Sequence, residues 1–427
     1  MNNYLLRNGT IVDPVSEILE VSDLWIHNKL IRRQKPLDPN LKFETIELEG
    51  NYIFPGLIDL RCHLREANGT NCESILSGTK AAASGGYSSI LTMPDISPQP
   101  DNAGAIRYIK DSADKNSLVK INIVGCLTLH SKGEALAPLG SLSESGIVAV
   151  SDCPLSTQNN EIFVKGVEYA SMFNLPVIEL PREISLSKNG SAHDGQIALS
   201  MGLGGYPRMA EELFVQRAIT VSRNLDAHIH LTSISSKGSV ELIRDAKAKE
   251  IRVTADVTPH HLCFTDDSII GYKTNFKTLP PLREDADKRS LMEGLMDGTL
   301  DCVSTAHEPY YEHLKNVEFD LAPAGVISLE TTFASIMTTY KDKVSNLPLK
   351  MAKWLAYNPS KIINMETGTL NEGTPADIMI FDPLNEWTYE TKKTLSSSKN
   401  SPFEKSSFRG VVRMTIVDGK IVYQRNN

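Results

Sequence analysis

The sequence contains no long hydrophobic run and no excess of positive charge. No apolar stretch approaches the ~18 residues that cross a bilayer, and the first residues, Met1-Asn2-Asn3-Tyr4, lack the features of a signal peptide. The 427 residues carry a formal net charge of -8, which argues against the basic stripe of a nucleic-acid-binding protein or a basic face for anionic lipid. These absences predict a cytoplasmic protein with no nucleic-acid or membrane partner.

Cysteine is also scarce, and its spacing argues against two common architectures. The chain has six cysteines and no CxxC pair. The positions are Cys62, Cys72, Cys126, Cys153, Cys263 and Cys302. This scatter is typical of reduced, mostly buried thiols, and it argues against a disulfide framework or a zinc ribbon.

Both ends of the chain are rich in β-strand signals. Strands are predicted at residues 376–381 and 411–417, and the turn Asp418-Gly419 predicts a hairpin. Two similar ends around a different middle predict one small β domain, made from residues 1–52 and 366–427. Within its second part, residues 394–401 are rich in serine and are predicted to form a mobile surface loop.

Residues 53–365 alternate short buried strands with helices. Strands are predicted at residues 88–93, 121–125, 146–150, 176–180, 227–231, 251–257 and 301–305, and helices at residues 74–83 and 237–249. Repeated βα units predict a parallel sheet, and their number favours a closed barrel over a doubly wound sheet, which periodicity alone does not separate. A barrel places its active site at the carboxyl ends of its strands.

Nine motifs follow one another along the chain. They read Pro55-Gly56-Leu57-Ile58-Asp59-Leu60-Arg61-Cys62-His63-Leu64-Arg65-Glu66, Thr92-Met93-Pro94-Asp95, Val150-Ser151-Asp152, Pro176-Val177-Ile178, His228-Ile229-His230-Leu231-Thr232-Ser233, Thr258-Pro259-His260-His261-Leu262, Pro280-Pro281-Leu282-Arg283, Ser304-Thr305-Ala306-His307-Glu308-Pro309 and Gly373-Thr374-Pro375-Ala376-Asp377. Over essentially the whole chain they resemble the motifs of the dihydroorotase family, in the amidohydrolase superfamily. The resemblance implies an α/β fold, a (β/α)₈ TIM-type barrel with a small β-sandwich domain formed by both termini.

The resemblance also implies a chemistry. In that family two metal ions share a bridging carboxylate at the barrel mouth, lower the pKa of a bridging water and polarise the amide carbonyl of the ring. An aspartate after the last strand moves the proton. The ligands are neutral histidines and carboxylates, as zinc prefers. The family's reaction is the hydrolysis of a cyclic amide in pyrimidine biosynthesis.

Only three of the six implied ligand positions carry a suitable side chain. The retained positions are His63, Asp152 and His230. The replaced positions are Arg61 and Leu180, where the family has histidines, and Ala306, where it has the aspartate that is both ligand and proton shuttle. Because His63 and His230 belong to different ions in the family, the three do not make one half-site. The sequence therefore predicts no catalytic residue and no cofactor, or zinc if the three converge.

Two interpretations of the replaced centre stay open. Arg61 can pair with Asp152 or Asp95 and stand in for the lost cation, which would relieve an otherwise unpaired buried acid. Alternatively, a neighbour completes a reduced metal site. The candidates are Glu179, Cys62 and Cys153, each of which is more typical of an ordinary strand-end or core residue.

The residues implied in substrate binding are altered as well. Arg65 matches the arginine that pairs with the ring carboxylate in the family, and such a contact is apt for a guanidinium. Its usual asparagine partner is Asp95 here, which places an anion before an anionic substrate. Arg65 and Asp95 are the predicted substrate-binding residues. Further departures from the family pattern are Leu279, Tyr310 and Ala322-Pro323-Ala324-Gly325.

The other histidines are predicted to have structural or surface positions. His260 and His261 are expected to hold a loop by hydrogen bonds, and His307 to pack beside the last strand. The surface or loop positions are His27, His130, His193 and His313.

Three functions are open at this point. The first is a non-catalytic dihydroorotase homologue, a pseudoenzyme kept as a structural partner of aspartate carbamoyltransferase or of an active dihydroorotase. The second is an active zinc-dependent dihydroorotase, or a related cyclic amidase of the hydantoin or allantoin type, that cleaves a ring C–N bond with a reduced metal site. The third is a binding module for a carboxylate ligand. By analogy with the family, a homodimer is expected.

Overall fold

The computed structural model describes residues 3–38, 40–65 and 72–425. One eight-stranded sheet contains both ends of the chain, in the order β18-β17-β16-β5-β1-β2-β3 with β4 beside β1. Its strands are β1 (Tyr4–Asp13), β2 (Ile18–His27), β3 (Leu30–Arg32), β4 (Glu44–Glu47), β5 (Tyr52–Pro55), β16 (Ile378–Thr388), β17 (Ser407–Val417) and β18 (Lys420–Gln424). β5 joins the two halves, because it pairs parallel with β1 and antiparallel with β16. The expected β domain from both termini is confirmed.

A second eight-stranded sheet is parallel throughout and forms the barrel. Its strands, in sheet order from one side, are β6 (Leu57–Cys62), β7 (Tyr87–Thr92), β8 (Lys120–Cys126), β9 (Ala149–Ser151), β10 (Val177–Glu179), β13 (Ile229–Leu231), β14 (Val253–Val257) and β15 (Cys302–Val303). The barrel closes where the His63 backbone N–H donates to the His307 carbonyl at 2.9 Å. The expected barrel is therefore confirmed, and the doubly wound alternative is excluded by this closure. A separate two-stranded sheet contains β11 (Ala192–His193) and β12 (Gly205–Tyr206).

Helices follow the barrel strands, as a βα architecture requires. They are α1 (Ile75–Ser84), α2 (Ala103–Asn116), α3 (Leu139–Glu144), α4 (Asn160–Ser171), α5 (Ile184–Ser187), α6 (Gln196–Met201), α7 (Met209–Leu225), α8 (Lys237–Ala248), α9 (Pro259–Cys263), α10 (Asp285–Asp297), α11 (Glu312–Lys315), α12 (Thr332–Tyr340), α13 (Leu347–Ala352) and α14 (Asn358–Ile362). Short 3₁₀ turns occur at Leu129–Ser131, Asp266–Ile269, Thr274–Phe276 and Thr391–Lys393, and a π-helical turn at Lys353–Tyr357. None of these helices has the length and apolar character that crossing a bilayer requires.

Local signals explain where two of the predicted helices begin. Ser74 caps α1, because its side chain accepts from the Ser77 backbone N–H while the Ser77 hydroxyl accepts from the Ser74 backbone N–H. Ser236 caps α8 in a similar way, by accepting from the Ser239 N–H. The strands predicted at residues 146–150, 176–180 and 227–231 are shorter than expected, with three residues each.

The barrel interior is apolar close to the mouth. A buried cluster fills it with side chains from most strands. Its members are Ile58, Leu60, Leu91, Met93, Val124, Ala149, Cys153, Ile178, Leu180, Cys302, Ile362 and Ile363. A larger cluster packs the helices on the outside of the barrel, and a third forms the core of the β domain. The inner cluster supports the polar residues that follow the strands.

The prediction of a mobile loop at residues 394–401 is wrong. Half of this serine segment is buried, at Ser396, Ser398, Asn400 and Ser401, and it contacts residues that follow the barrel strands. Ser396 donates to the carboxylate of the buried Glu73, and the Ser398 hydroxyl donates to the Cys72 carbonyl at 2.8 Å. Asn400 Nδ2 donates to the carbonyls of Glu308 and Gly325 at 2.9 and 3.1 Å. The serine-rich composition wrongly suggested a mobile surface loop. Serine hydroxyls form hydrogen bonds with buried protein groups as well as with water.

We expect Asn400→Ala to destabilise the protein by about 2 kcal/mol, because it leaves the buried Glu308 carbonyl and the Tyr310 N–H without this partner and removes one of two donors to the Gly325 carbonyl. The measurement is the apparent free energy of unfolding in urea. Asn385→Ala, at an exposed position in β16, is the control and should change stability by less than about 0.5 kcal/mol. Equal effects of the two variants would contradict the role of the serine segment.

Candidate functional site

A buried arginine occupies the centre of the barrel mouth. Arg61 lies in β6 and is 0% exposed. Its Nη1 donates to the Ser233 hydroxyl at 2.6 Å, and its Nη2 lies 3.9 Å from Glu308 Oε2. Among the described residues Nη2 has no hydrogen-bonding partner. The interpretation that Arg61 pairs with Asp152 or Asp95 is therefore wrong in its partner: the nearest carboxylate in an ion pair is Glu308.

His63 is held between Arg61 and Asp95. Arg61 Nε lies 3.3 Å from His63 Nε2, and both Asp95 oxygens lie 2.9 Å from His63 Nδ1. A guanidinium only donates and a carboxylate only accepts. His63 therefore carries its proton on Nδ1 and accepts at Nε2. The Arg61 N–H thus uses the lone pair with which an imidazole binds a metal.

Arg65 and Asp95, the predicted substrate-binding pair, contact each other. Arg65 Nε donates to Asp95 Oδ2 at 2.9 Å, and its Nη2 donates to Glu308 Oε1 at 2.7 Å. Arg65 also donates to the Pro309 carbonyl at 3.0 Å and lies over the Tyr310 ring. Burial alone would raise the pKa of Asp95, but His63 and Arg65 lower it to about 2. Both residues are consequently engaged within the protein.

Buried charges of both signs lie at the mouth. Arg61 and Arg65 lie beside the carboxylates of Asp95 and Glu308. Burial alone would raise the pKa of Glu308, but the nearby guanidiniums of Arg65 and Arg61 keep it below 4.5. Buried ions of opposite sign that pair closely avoid the large desolvation penalty of an isolated charge. Arg61, Arg65, Asp95 and Glu308 therefore form a buried ion network.

Asp152, the implied bridging carboxylate, accepts hydrogen bonds from two threonines, one after β8 and one in the loop after β9. It accepts from the Thr128 backbone N–H at 3.0 Å and from the hydroxyls of Thr128 and Thr157 at 2.7 Å each. Burial raises the pKa of Asp152 above its usual range despite these hydrogen bonds. It does not contact Arg61.

His230, the third retained position, faces a carboxylate that the sequence analysis missed. Its Nε2 lies 2.9 Å from Asp256 Oδ2, so it donates there, and its Nδ1 lies 2.9 Å from the Thr254 hydroxyl. Asp256 also accepts from the Ser233 N–H and the Ser304 hydroxyl. Both ring nitrogens of His230 are therefore used within the protein.

The replacements at the other ligand positions are apolar. Leu180 is 1% exposed and belongs to the inner cluster. Ala306 is buried, with a backbone φ of 47°, a left-handed conformation that asparagine and aspartate adopt more readily than alanine. Neither side chain can hold a metal.

The neighbours considered as substitute ligands have other partners. Glu179 accepts from Ser156 and from Arg217 Nη2, at 2.7 Å each, and burial raises its pKa to about 7. Burial raises the pKa of the Cys153 thiol to about 12, so it is not a thiolate. Cys62 packs in the outer cluster. None of the three completes a metal site.

The residues at the mouth therefore do not fit a zinc ion. His63 and His230 use their ring nitrogens for other contacts, Asp152 is bound elsewhere, and the guanidinium of Arg61 lies against His63. Within residues 3–38, 40–65 and 72–425, only one group of three potential ligands has its atoms within 4.8 Å of one another. That group, His193 with Glu284 and Asp287, lies outside the retained positions.

This second group does not fit a metal either. Arg283 Nη1 lies 3.1 Å from His193 Nδ1, so Nδ1 accepts and the proton is on Nε2. Arg208 donates to Glu284 at 2.5 Å and to both oxygens of Asp287. Burial lowers the pKa of His193 to about 4. Its predicted surface position is wrong, since it is 1% exposed; short polar loops around it gave no sign of burial.

Most of the other histidines behave as predicted, but His260 does not. His261 bridges the Thr258 hydroxyl at 2.7 Å and the Pro281 carbonyl at 3.2 Å, which holds the loop before Pro280. His260 is buried beside it, but among the described residues its Nδ1 has no hydrogen-bonding partner, so the predicted hydrogen-bonding role is not found for this side chain. His307 lies after β15 and contacts Glu73 and the Ser328 N–H. His27 is partly buried, whereas His130 and His313 are exposed.

The altered substrate-side positions have clear structural roles. Tyr310 donates to Glu308 at 2.9 Å and covers Arg65. Leu279 packs against the inner cluster. Gly325 has a φ of 138°, and a Cβ there would meet Tyr310 and Glu308 at 2.7 and 2.8 Å. Tyr310 and Gly325 therefore pack against the ion network, and Leu279 packs against the apolar cluster below it.

Three buried carboxylates of the mouth were not predicted as site residues. Asp59 accepts from the Thr305 N–H and hydroxyl at 2.7 and 2.6 Å, Asp256 holds His230, and Glu308 pairs with both arginines. Burial raises the pKa of Asp59 to about 7. The available signal was an acid inside or directly after an apolar strand, as in the run Thr254-Ala255-Asp256-Val257.

Comparisons with known proteins agree with the geometry of the fold. A family model described as Dihydro-orotase-like matches residues 50–239, and one described as Amidohydrolase family matches residues 203–422. The dihydroorotase of Endomicrobium trichonymphae is 40% identical over 421 residues, which are 98% of this chain and 99% of that protein. The dihydroorotase of Geotalea daltonii is 39% identical over 428 residues, or 99% and 100%.

Solved structures share the fold at low identity. The dihydropyrimidinase from Brevibacillus agri superposes with a TM-score of 0.86 at 23% identity, over 99% of this chain and 95% of that chain. The L-hydantoinase (dihydropyrimidinase) from Arthrobacter aurescens superposes with a TM-score of 0.88 at 18% identity, over 100% and 97%. These likenesses show the barrel and the β domain.

We expect Glu308→Gln to reduce the free energy of unfolding by about 3 kcal/mol, because it leaves two buried guanidiniums with one carboxylate. Since the folded pKa of Glu308 lies below 4.5, its stabilisation is present above pH 4.5. It is lost as the pH falls through the folded pKa. Urea unfolding at several pH values measures both effects. The exposed Glu318→Gln is the control, and a pH-independent difference from it would contradict the network.

Proposed function

The chain belongs to the dihydroorotase family of the amidohydrolase superfamily, and we propose that it is a non-catalytic member, in which an internal ion network replaces the metal centre. One observation carries the proposal: Arg61 Nε donates to His63 Nε2. A zinc ion at His63 would have to displace a permanent cation from the fully buried centre of the site. The chemistry of the family depends on that ion to activate water.

The loss of the proton shuttle supports the same conclusion. Ala306 stands where the family has its catalytic aspartate, and a methyl group neither binds metal nor transfers a proton. Removal of a general acid or base alone reduces a rate by roughly 10²–10⁴-fold. The two losses affect one reaction, while the barrel and its motifs are retained.

A retained scaffold without its chemistry supports a role in assembly. We propose that the chain is a structural partner of aspartate carbamoyltransferase or of an active dihydroorotase in pyrimidine biosynthesis, as a cytoplasmic homodimer. The resemblance to the family motivates these partners, and they are proposals for this chain. Binding to the surface of another protein requires the folded barrel but not a metal centre. The inner and outer hydrophobic clusters stabilise that fold.

The competing function is an active zinc-dependent cyclic amidase with a reduced metal site. The names of the relatives favour it, since proteins 36–40% identical to this chain are called dihydroorotases. It requires that His63, Asp152 and His230 leave their present partners and converge on one ion. Ring substrates of the hydantoin or allantoin type would meet the same obstacle.

The first test is metal content and turnover of one zinc-supplemented sample. We expect less than about 0.2 zinc per chain, because the ligand atoms are occupied, and no hydrolysis of dihydroorotate, hydantoin or allantoin. The comparison variant restores the family ligands with Arg61→His, Leu180→His and Ala306→Asp. It should bind at least about one zinc per chain if the scaffold is intact.

Stoichiometric zinc with turnover in the unaltered chain would overturn the non-catalytic proposal. Arg61→His alone separates the two causes of inactivity, since it frees His63 but leaves Leu180 and Ala306. It should gain some zinc affinity and no activity.

The assembly role has its own test. We expect the purified chain to co-elute with aspartate carbamoyltransferase or with an active dihydroorotase from the same cells at micromolar concentration, because stable interfaces of standard size bind in or below this range. Light scattering on the chain alone should give the mass of two chains. An unrelated protein of similar mass controls for non-specific association, and failure to co-elute with either enzyme would contradict the assembly role.

A further inference from the structure

A polar cavity lies beside the barrel mouth, and the ion network is not among its lining residues. Its volume is about 460 Å³, in the range of small-molecule sites. Three cationic side chains line it: Arg182 and Lys188, which follow β10, and Lys277, in the loop before Leu279. None of them belongs to the nine motifs of the sequence analysis.

Two of these cations have unused N–H donors, although the Arg182 guanidinium also lies over the Tyr206 ring, 5.8 Å from its centroid. Arg182 Nε donates to the Ser187 hydroxyl at 3.0 Å, but among the described residues its two terminal nitrogens have no hydrogen-bonding partner. Lys188 is exposed, and within the same part of the chain it makes neither an ion pair nor a hydrogen bond. A guanidinium fork and an ammonium with unused donors are the groups that bind carboxylates and phosphates.

The third cation is fixed in the cavity wall. Lys277 is 8% exposed, and its Nζ donates to the carbonyls of Phe319 and Asp320 at 2.7 and 3.1 Å. An ammonium has three N–H groups, so one remains for a ligand. Burial lowers the pKa of Lys277, and a bound anion would offset that effect.

The cavity has an excess of positive charge. Asp320 is the one acidic side chain among its lining residues, and it accepts from the Ser191 hydroxyl at 2.5 Å. Three cations against one anion leave two positive charges. This differs from the mouth, where the charges of Arg61 and Arg65 are already matched.

The floor of the cavity separates it from the replaced metal centre. Leu279 lines the cavity and also packs against the inner cluster that contains Leu180 and Cys153. A ligand in the cavity would therefore meet an apolar floor and cationic walls.

We propose that this cavity binds a small dianion, with Arg182 and Lys188 as the main binding residues and Lys277 as a fixed donor. The ligand class is a molecule with two negative charges, either a dicarboxylate or a phosphate. The site does not depend on whether the chain hydrolyses a cyclic amide, since none of the three cations touches the ion network.

Isothermal titration with sodium succinate and with inorganic phosphate tests the proposal, in a buffer whose ionic strength is held constant with sodium chloride. We expect saturable binding of at least one probe. Arg182→Gln with Lys188→Gln should weaken it by at least about tenfold, because charged hydrogen bonds are lost. Succinate binding alone would identify a dicarboxylate site, phosphate binding alone a phosphate site, and binding of both a general dianion site.

The matched control is Arg223→Gln with Lys80→Gln, at exposed positions of α7 and α1, and it should bind within about twofold of the unaltered chain. Lys188→Gln alone, at an exposed side chain, covers the case in which the double variant does not fold, and should weaken binding about threefold. The proposal is overturned if neither probe binds saturably, or if the variants of Arg182 and Lys188 bind as tightly as the control.

Discussion

The pairing of buried charges at the barrel mouth is the constraint on which the rest of the site depends. Arg61 is fully buried, so it needs a carboxylate nearby, and Glu308 and Asp95 supply the negative charge that both arginines require. Where the family places metal ions, this chain places a guanidinium between a histidine and a serine. The barrel mouth of this chain thus contains a positive charge, as a metal ion would supply, but a guanidinium does not activate water.

This network also joins distant parts of the chain. Glu308 binds Arg65 through its side chain and Asn400 through its backbone, and Glu73 links His307 to the serine segment, residues 394–401. The β domain therefore closes the mouth of the barrel through a segment inserted between β16 and β17. Three ligand positions are replaced, and the retained side chains His63, Asp152 and His230 all have partners within the protein.

The motifs predicted which ligand positions are retained and which are lost, because a single residue type decides whether a side chain can hold a metal. They did not predict the partners. The sequence offered Asp152 or Asp95 for Arg61, whereas the carboxylate in place is Glu308, more than 240 positions away. Asp256, the partner of His230, was missed because it lies in a neighbouring strand and no local pattern connects the two.

The sequence by itself determined the alternation of strands and helices, the β-rich ends and the absence of a complete ligand set, because these follow from periodicity and from residue identity. The closed barrel followed from the resemblance of its motifs to a known family. Only the tertiary structure decided that His63 accepts from Arg61, that Arg65 pairs with carboxylates inside the protein and that alternate residues of the serine segment are buried. These depend on the approach of side chains from strands far apart in the chain, and a hydrogen bond or an ion pair exists only when both partners meet within about 3–4 Å.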